Sequence, residues 1–162
     1  MESSRVTFTY PNPDFKMLET QKIINAFLKI LETHRAEGHP LAPLVSDTKA
    51  LEWLNTVFNE SSLVACRDAS SSELVGVVVY AIRPFEWGAC NCLEERLVLS
   101  IGNSFGFGRI ALEVLEKIAQ EQNCKLIVSG NALSTDQKLT ENLYTRKGSY
   151  LFSHKSFLKV VN

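Results

Sequence analysis

The chain has 162 residues, a formal net charge of −1 and a pI near 6.3, with 45 % hydrophobic and 22 % charged residues. That length and balance suit one soluble globular domain, which can bury about two-thirds of its unfolded surface without disulfide or metal staples. The near-neutral charge offers no overall attraction to nucleic acid or to an anionic membrane, and no apolar run reaches the roughly 18–20 residues that a membrane span needs.

In chain order, Arg5–Tyr10 alternates polar and apolar residues through Val6, Phe8 and Tyr10, which predicts a short strand. Asn12 then offers a helix cap, Pro13 fits a first turn, and Asp14 suits the positive end of the helix dipole. Ile24, Phe27, Leu28 and Leu31 share one helical face, so the helix should run to about His34 and stop near Gly38-His39-Pro40. After a loop at Pro40–Pro43, Ser46 or Asp47 can cap a second helix with Leu51, Leu54 and Phe58 along one side. Ser61–Arg67 reads as a strand and Asp68–Glu73 as a polar turn.

Leu74–Ile82 is continuous, apolar and β-branched, the pattern of a strand buried on both faces. Pro84 and Gly88 break it, and Trp87 between them reads as a turn-packing aromatic or, as the alternative, a rim aromatic of a substrate site. Residues 89–101 form another extended run. A glycine-rich loop comes next, then a helix over Arg109–Gln122 with Ala111, Val114, Leu115 and Ile118 on one face. Lys125–Ser129 predicts a short buried strand. Ser134-x-x-Gln137 is a capping-box pattern opening a helix through about Lys147, stopped by Gly148, with Ser149–Val161 extended. The order β-α-α-β-β-β-α-β-α-β argues α/β or α+β with a mixed sheet, in a single domain without repeats or linkers.

Cys66, Cys90, Cys92 and Cys124 contain one C-x-C pair and no second closely spaced pair, and His34, His39 and His154 are scattered. Neither set has zinc-ligand spacing, so no metal is expected. Reduced thiols in a cytoplasmic protein account for the cysteines.

The strongest local signal is Asn103-Ser104-Phe105-Gly106-Phe107-Gly108 between a strand and an amphipathic helix. Glycines let an anion approach the backbone closely, and the helix start supplies N–H groups and a positive dipole end. The loop has no Gly-Lys-Ser/Thr and lacks the dinucleotide-binding G-x-G-x-x-G spacing. Arg109, a cation at a helix start, is either a partner for a phosphate or a solvated side chain.

Asn103-x-x-Gly106-x-Gly108 resembles the Q/R-x-x-G-x-G/A signature of the GNAT superfamily of N-acetyltransferases, with Asn103 standing where the family has Gln or Arg. Val98 falls where the family often ends the preceding strand, and Leu143-Tyr144-x-x-Lys147-Gly148-Ser149-Tyr150 resembles its L-Y-x-x-x-G-F segment. The likeness covers roughly residues 62–161 and reaches residues 1–60 only through their β-α-α layout. It implies a mixed, mostly antiparallel sheet of about six or seven strands flanked by about four helices.

The resemblance also implies acetyl-CoA as cofactor and a primary amine of a small molecule or protein as acceptor. It implies direct attack of the amine on the thioester. A carboxylate in the fourth strand would be the base: Glu94 first, with Glu95 as the alternative. Only one of the two can face the cleft, and a bulge in this strand, usual in the family, would change the parity. Tyr144 would be the acid that protonates the leaving thiolate. Leu97, Val98 and Leu99 would lend backbone groups to the cofactor at an open strand edge. Ser104, Phe105, Phe107, Arg109, Asn131 and Gln137 would complete its contacts with the glycine loop. A homodimer is compatible with all of this. A second reading keeps the fold but assigns it a binding or structural part without catalysis. A third, an unrelated nucleotide-binding module, would use the loop alone.

Overall fold

The computed structural model of the chain describes residues 6–102, 106–129 and 136–147. Five strands form one sheet in the order β1 (Val6–Thr9), β2 (Ser62–Asp68), β3 (Leu74–Pro84), β4 (Asn91–Ser100) and β5 (Cys124–Val128). The first three pairings are antiparallel; β4 and β5 run parallel, with α3 (Phe107–Glu121) as their crossover. α1 (Met17–Ala36) and α2 (Asp47–Glu60), joined through a 3₁₀ turn at Ala42–Leu44, lie between β1 and β2 in sequence. A short α4 (Gln137–Asn142) runs directly into a π-helical turn, Leu143–Lys147. The expected mixed sheet and four helices are present, with five strands among the described residues; the final extended segment, Ser149–Val161, lies outside them.

The sheet has an apolar layer on each face, and β3 shows why. Val77 and Val79 join Ile23, Phe27 and Leu31 of α1 and Leu54 and Val57 of α2. Val78 and Tyr80 instead meet Phe107, Ala111, Val114, Leu115 and Ile118 of α3. Alternate residues of a strand point to opposite faces, so a strand covered on both sides must be apolar throughout. Each such side chain contributes about 1.5–3 kcal/mol on burial. Gly76 belongs to this arrangement because the Phe107 ring occupies the space its Cβ would fill.

Two expected boundaries move. Asn12 has φ 56°, a left-handed conformation, and does not cap a helix. α1 begins instead at Met17 after Lys16, whose backbone N–H donates to the Glu19 carboxylate at 2.9 Å in a capping box. The buried stripe of α1 is accordingly Ile23, Phe27, Leu31 and His34, with Ile24 and Leu28 half-buried beside it. α4 is capped by Asp136, which accepts from the Leu139 N–H at 2.8 Å. Ser134 lies outside the described residues. β5 is largely exposed along its length, not buried, and Trp87 is 90 % exposed at the β3–β4 turn. Ser46 caps α2 as read from the sequence.

Glu19 links α1 to the sheet. Its carboxylate accepts from the Lys16 backbone and from both terminal nitrogens of Arg67 in β2. The hydrogen bond from Arg67 holds the Glu19 carboxyl below its usual range, against the opposing effect of burial. A depressed carboxyl stabilises the fold above its unfolded-state pKa and loses that contribution as pH falls through the folded-state value. Glu19→Gln should therefore cost about 2 kcal/mol at neutral pH. In urea titrations the gap from wild type should close as pH is lowered below the ordinary glutamate range.

Candidate active site

The ladder between β4 and β5 runs from Asn91–Cys124 to Glu94–Val128 and stops there. Among the described residues, β4 continues from Glu95 to Ser100 without β5 beside it, so the two parallel strands part into a fork. Leu97, Val98 and Leu99, expected from the sequence to form a cofactor-binding edge, lie on this stretch of β4. The side chains of Leu97 and Leu99 are buried in the α1–α2 layer, so only their backbone is available to a ligand; Val98 is half-buried.

A bulge in β4 sets which carboxylate enters the fork. Val79 pairs with Leu97 but Tyr80 pairs with Glu95, leaving Arg96 as the extra residue. Leu93 and Leu97 are four apart and would share a face of a regular strand, yet they belong to opposite apolar layers. Past the bulge, Glu95 accepts a hydrogen bond from the Tyr144 hydroxyl at 2.6 Å. Glu94, expected first as the cleft carboxylate, is held by Arg83 at 3.1 Å and Arg96 at 3.3 Å. Glu95 is the carboxylate that meets the tyrosine.

Burial raises the Glu95 carboxyl above its ordinary value; the Tyr144 hydrogen bond and the nearby Ser129 hydroxyl oppose that rise. Ser129 Oγ is itself buried and has no partner in hydrogen-bonding geometry among the described groups. Tyr144 sits in the π-helical turn, a wider helical geometry that recurs at functional sites. That turn packs on the start of α3: a Cβ on Gly108 would come within 2.6 Å of the Leu143 side chain.

The loop residues divide by where they point. Gly106 caps α3 with φ 82°, a conformation glycine adopts without strain. Phe107 packs inward and is 2 % exposed, so it does not stack on a ligand. Arg109 is on the surface, with its side chain 3.4 Å from Glu113 one turn on. Asn103, Ser104, Phe105 and Asn131 lie outside the described residues; Gln137 opens α4, and its side chain is likewise outside them.

Glu95, Tyr144, Val98 and Gly108 line a cleft of about 660 Å³ whose far wall is built from α1 and α2. Phe27, Leu31 and Trp53 on that wall are legible in sequence only as helix core or surface residues. The sequence carries no sign of the cleft there, because it arises where two helices meet a parted sheet. Among the described residues, no helix is long and apolar enough to cross a membrane.

By sequence, no family and no curated protein matches this chain. By structure, it is similar to a Pyrococcus furiosus protein designated an acetyl transferase (TM-score 0.62, 16 % identity, 96 % of this chain and 99 % of that one). It is similar to a GNAT family acetyltransferase from Staphylococcus aureus (TM-score 0.60, 13 % identity, 97 % and 99 %). It is also similar to a ribosomal-protein-alanine N-acetyltransferase from Brucella melitensis (TM-score 0.60, 11 % identity, 96 % and 99 %). The chain has the GNAT fold, and these three neighbours are designated acetyltransferases.

A carboxyl whose pKa is raised in the fold gains stability below its unfolded-state value and loses it as pH rises through the folded one. Glu95→Gln should therefore raise the melting temperature by a few degrees at neutral pH, with the difference vanishing under acidic conditions. Calorimetry of both proteins across that pH range checks this.

Proposed function

We propose that the protein is an acetyl-CoA-dependent N-acetyltransferase acting on a primary amine. The observation that carries the reading is the Tyr144–Glu95 hydrogen bond of 2.6 Å, placed where β4 leaves β5 and opening into the cleft. A raised carboxyl is suited to take a proton near neutral pH, and a tyrosine hydroxyl is suited to give one to a thiolate.

The site fits the cofactor on two counts. Among the described residues, β4 has no β5 ladder beside it beyond Glu94, which leaves an edge suited to an extended pantetheine arm. The left-handed Gly106 opens the 15-residue α3, whose N-terminal dipole suits a pyrophosphate. The residues to hold the cofactor would be the backbone of Leu97–Leu99 and the Gly106–Gly108 turn, together with Asn103, Ser104 and Phe105. Bound acetyl-CoA would supply the acetyl thioester.

The chain's own part is proton management. An ammonium has no free electron pair, so Glu95 first removes a proton and leaves the amine nucleophilic. Tyr144 Oη donates its proton to the departing sulfur and regains one from Glu95 through their hydrogen bond. The acceptor nitrogen sheds two protons in all, one reaching the sulfur by this route and one leaving to solvent. Backbone N–H groups of the open β4 edge would hold the thioester oxygen.

Isothermal titration with acetyl-CoA, beside a Gly106→Arg control, tests the reading first; heat from the wild type alone is expected. With an accepted amine, Glu95→Gln should lower kcat/KM by about 10²–10³-fold. Wild-type kcat/KM should rise with pH through a pKa above the ordinary glutamate range, and that limb should vanish in Glu95→Gln. Tyr144→Phe should lower kcat by about tenfold or more, with KM little changed. A folded protein giving no heat at millimolar acetyl-CoA would leave a GNAT-shaped binding or structural part instead.

A further inference from the structure

The acceptor wall is chemically one-sided, and that narrows the amine. On the α1–α2 side, Phe27 and Leu31 are almost fully buried and form the floor. Trp53 lies over Phe27 with ring centroids 6.0 Å apart and planes at 21°, and is itself 40 % exposed. One face of the indole thus backs onto the core, while its exposed part borders the cleft. Leu44, on the 3₁₀ turn, extends the apolar rim.

The charges are equally uneven. Glu95 is the one carboxylate among the described lining residues, and Lys49 and Arg96 line the same cleft. Each cation has an acidic neighbour outside the lining, Glu52 at 2.7 Å and Glu94 at 3.3 Å. Inside the cleft a single ammonium meets a single counter-charge. A second ammonium on the same molecule would find two cations and an apolar wall, and desolvating it there would be costly. A sugar amine would set most of its hydroxyls against the apolar side chains that dominate the α1–α2 wall, where Ser46 is the one hydroxyl-bearing residue among those described.

Resting on the acetyl-transfer reading, we propose that the acceptor is a small monoamine with an apolar, aromatic-sized body, and that Trp53 is the residue that selects it. The amine points to Glu95, and the body stacks on the indole. Such a body also disfavours the ammonium form in its surroundings, which eases the proton removal that Glu95 must perform.

The test measures acetyl-CoA turnover with phenethylamine, spermidine and glucosamine, and repeats phenethylamine with octanoyl-CoA. Phenethylamine should exceed the other two in kcat/KM by about a hundredfold. Trp53→Ala should raise its KM about tenfold, the loss of roughly 1.4 kcal/mol of contact, with kcat held within about threefold. Trp53→Phe should restore most of the affinity. Separately, in a Trp87→Phe background, phenethylamine should quench the remaining Trp53 fluorescence with no acetyl-CoA present.

Comparable or better turnover of spermidine or glucosamine would overturn the proposal and leave the acetyl-transfer reading standing. So would an unchanged KM in Trp53→Ala. A preference for octanoyl-CoA that ignores the amine's body would assign the wall to the acyl chain and likewise overturn it. Fluorescence quenching with no transfer to any amine would sink the acetyl-transfer reading but keep the wall as an amine site. Neither quenching nor transfer would sink both.

Discussion

Among the described residues, the parallel pairing of β4 and β5 runs only from Asn91 to Glu94, and the cleft opens where it stops. Backbone groups of a strand must be satisfied by a neighbour, by water or by a ligand. A fork between the last two described strands creates an unladdered edge that is nevertheless held in place, since β3 still pairs with β4 along its whole length. The α1–α2 layer closes one side of this edge, and the start of α3 with the π-helical turn closes the other. Each chemical group then inherits its position from strands and helices, which hold geometry better than loops do.

Within that frame, the single extra residue Arg96 allocates the two adjacent glutamates. One becomes a surface group clamped between two arginines; its neighbour becomes a largely buried carboxyl against a tyrosine. Residues of the same type, adjacent in sequence, are given different surroundings by one extra residue, and for Glu95 burial is the larger influence on its carboxyl. The burial of Glu95 disfavours its own ionised form, the kind of local cost proteins accept where a group must trade protons.

Much of the layout is legible in the sequence because it rests on local patterns. The Leu74–Ile82 run announces a strand covered on both faces, the Ala111–Ile118 stripe announces the helix that covers one of them, and Ser46 marks its helix start. Tyr144 is legible through the segment around it. The choice between Glu94 and Glu95 is not, because parity predicts faces only in a regular strand and a bulge leaves no signature in composition. The start of α1 is misplaced at Asn12-Pro13-Asp14 because three residues with good capping chemistry precede a better box at Lys16–Glu19, which is further secured by Arg67 from β2. Phe107 could be a ligand contact or core by its sequence alone; the bare backbone of Gly76, distant in sequence on β3, decides it. Trp53 falls off the apolar stripe of its helix and gives no sign of a role, although its ring leans on Phe27 of the other helix.

The π-helical turn at Leu143–Lys147 also governs the aim of the tyrosine. A turn of this kind holds an inserted residue that an ordinary α-helix would not need. Each residue of an α-helix advances the direction of its side chains by about 100°. The insertion therefore works as a phase shift, with Leu143 kept against Gly108 of α3 while the Tyr144 hydroxyl reaches Glu95 of β4. Removing a residue upstream would turn the tyrosine by about 100° relative to the chain before it. The aim of that side chain is thus a property of residue count as much as of residue identity, and two chains can share the tyrosine without sharing its direction.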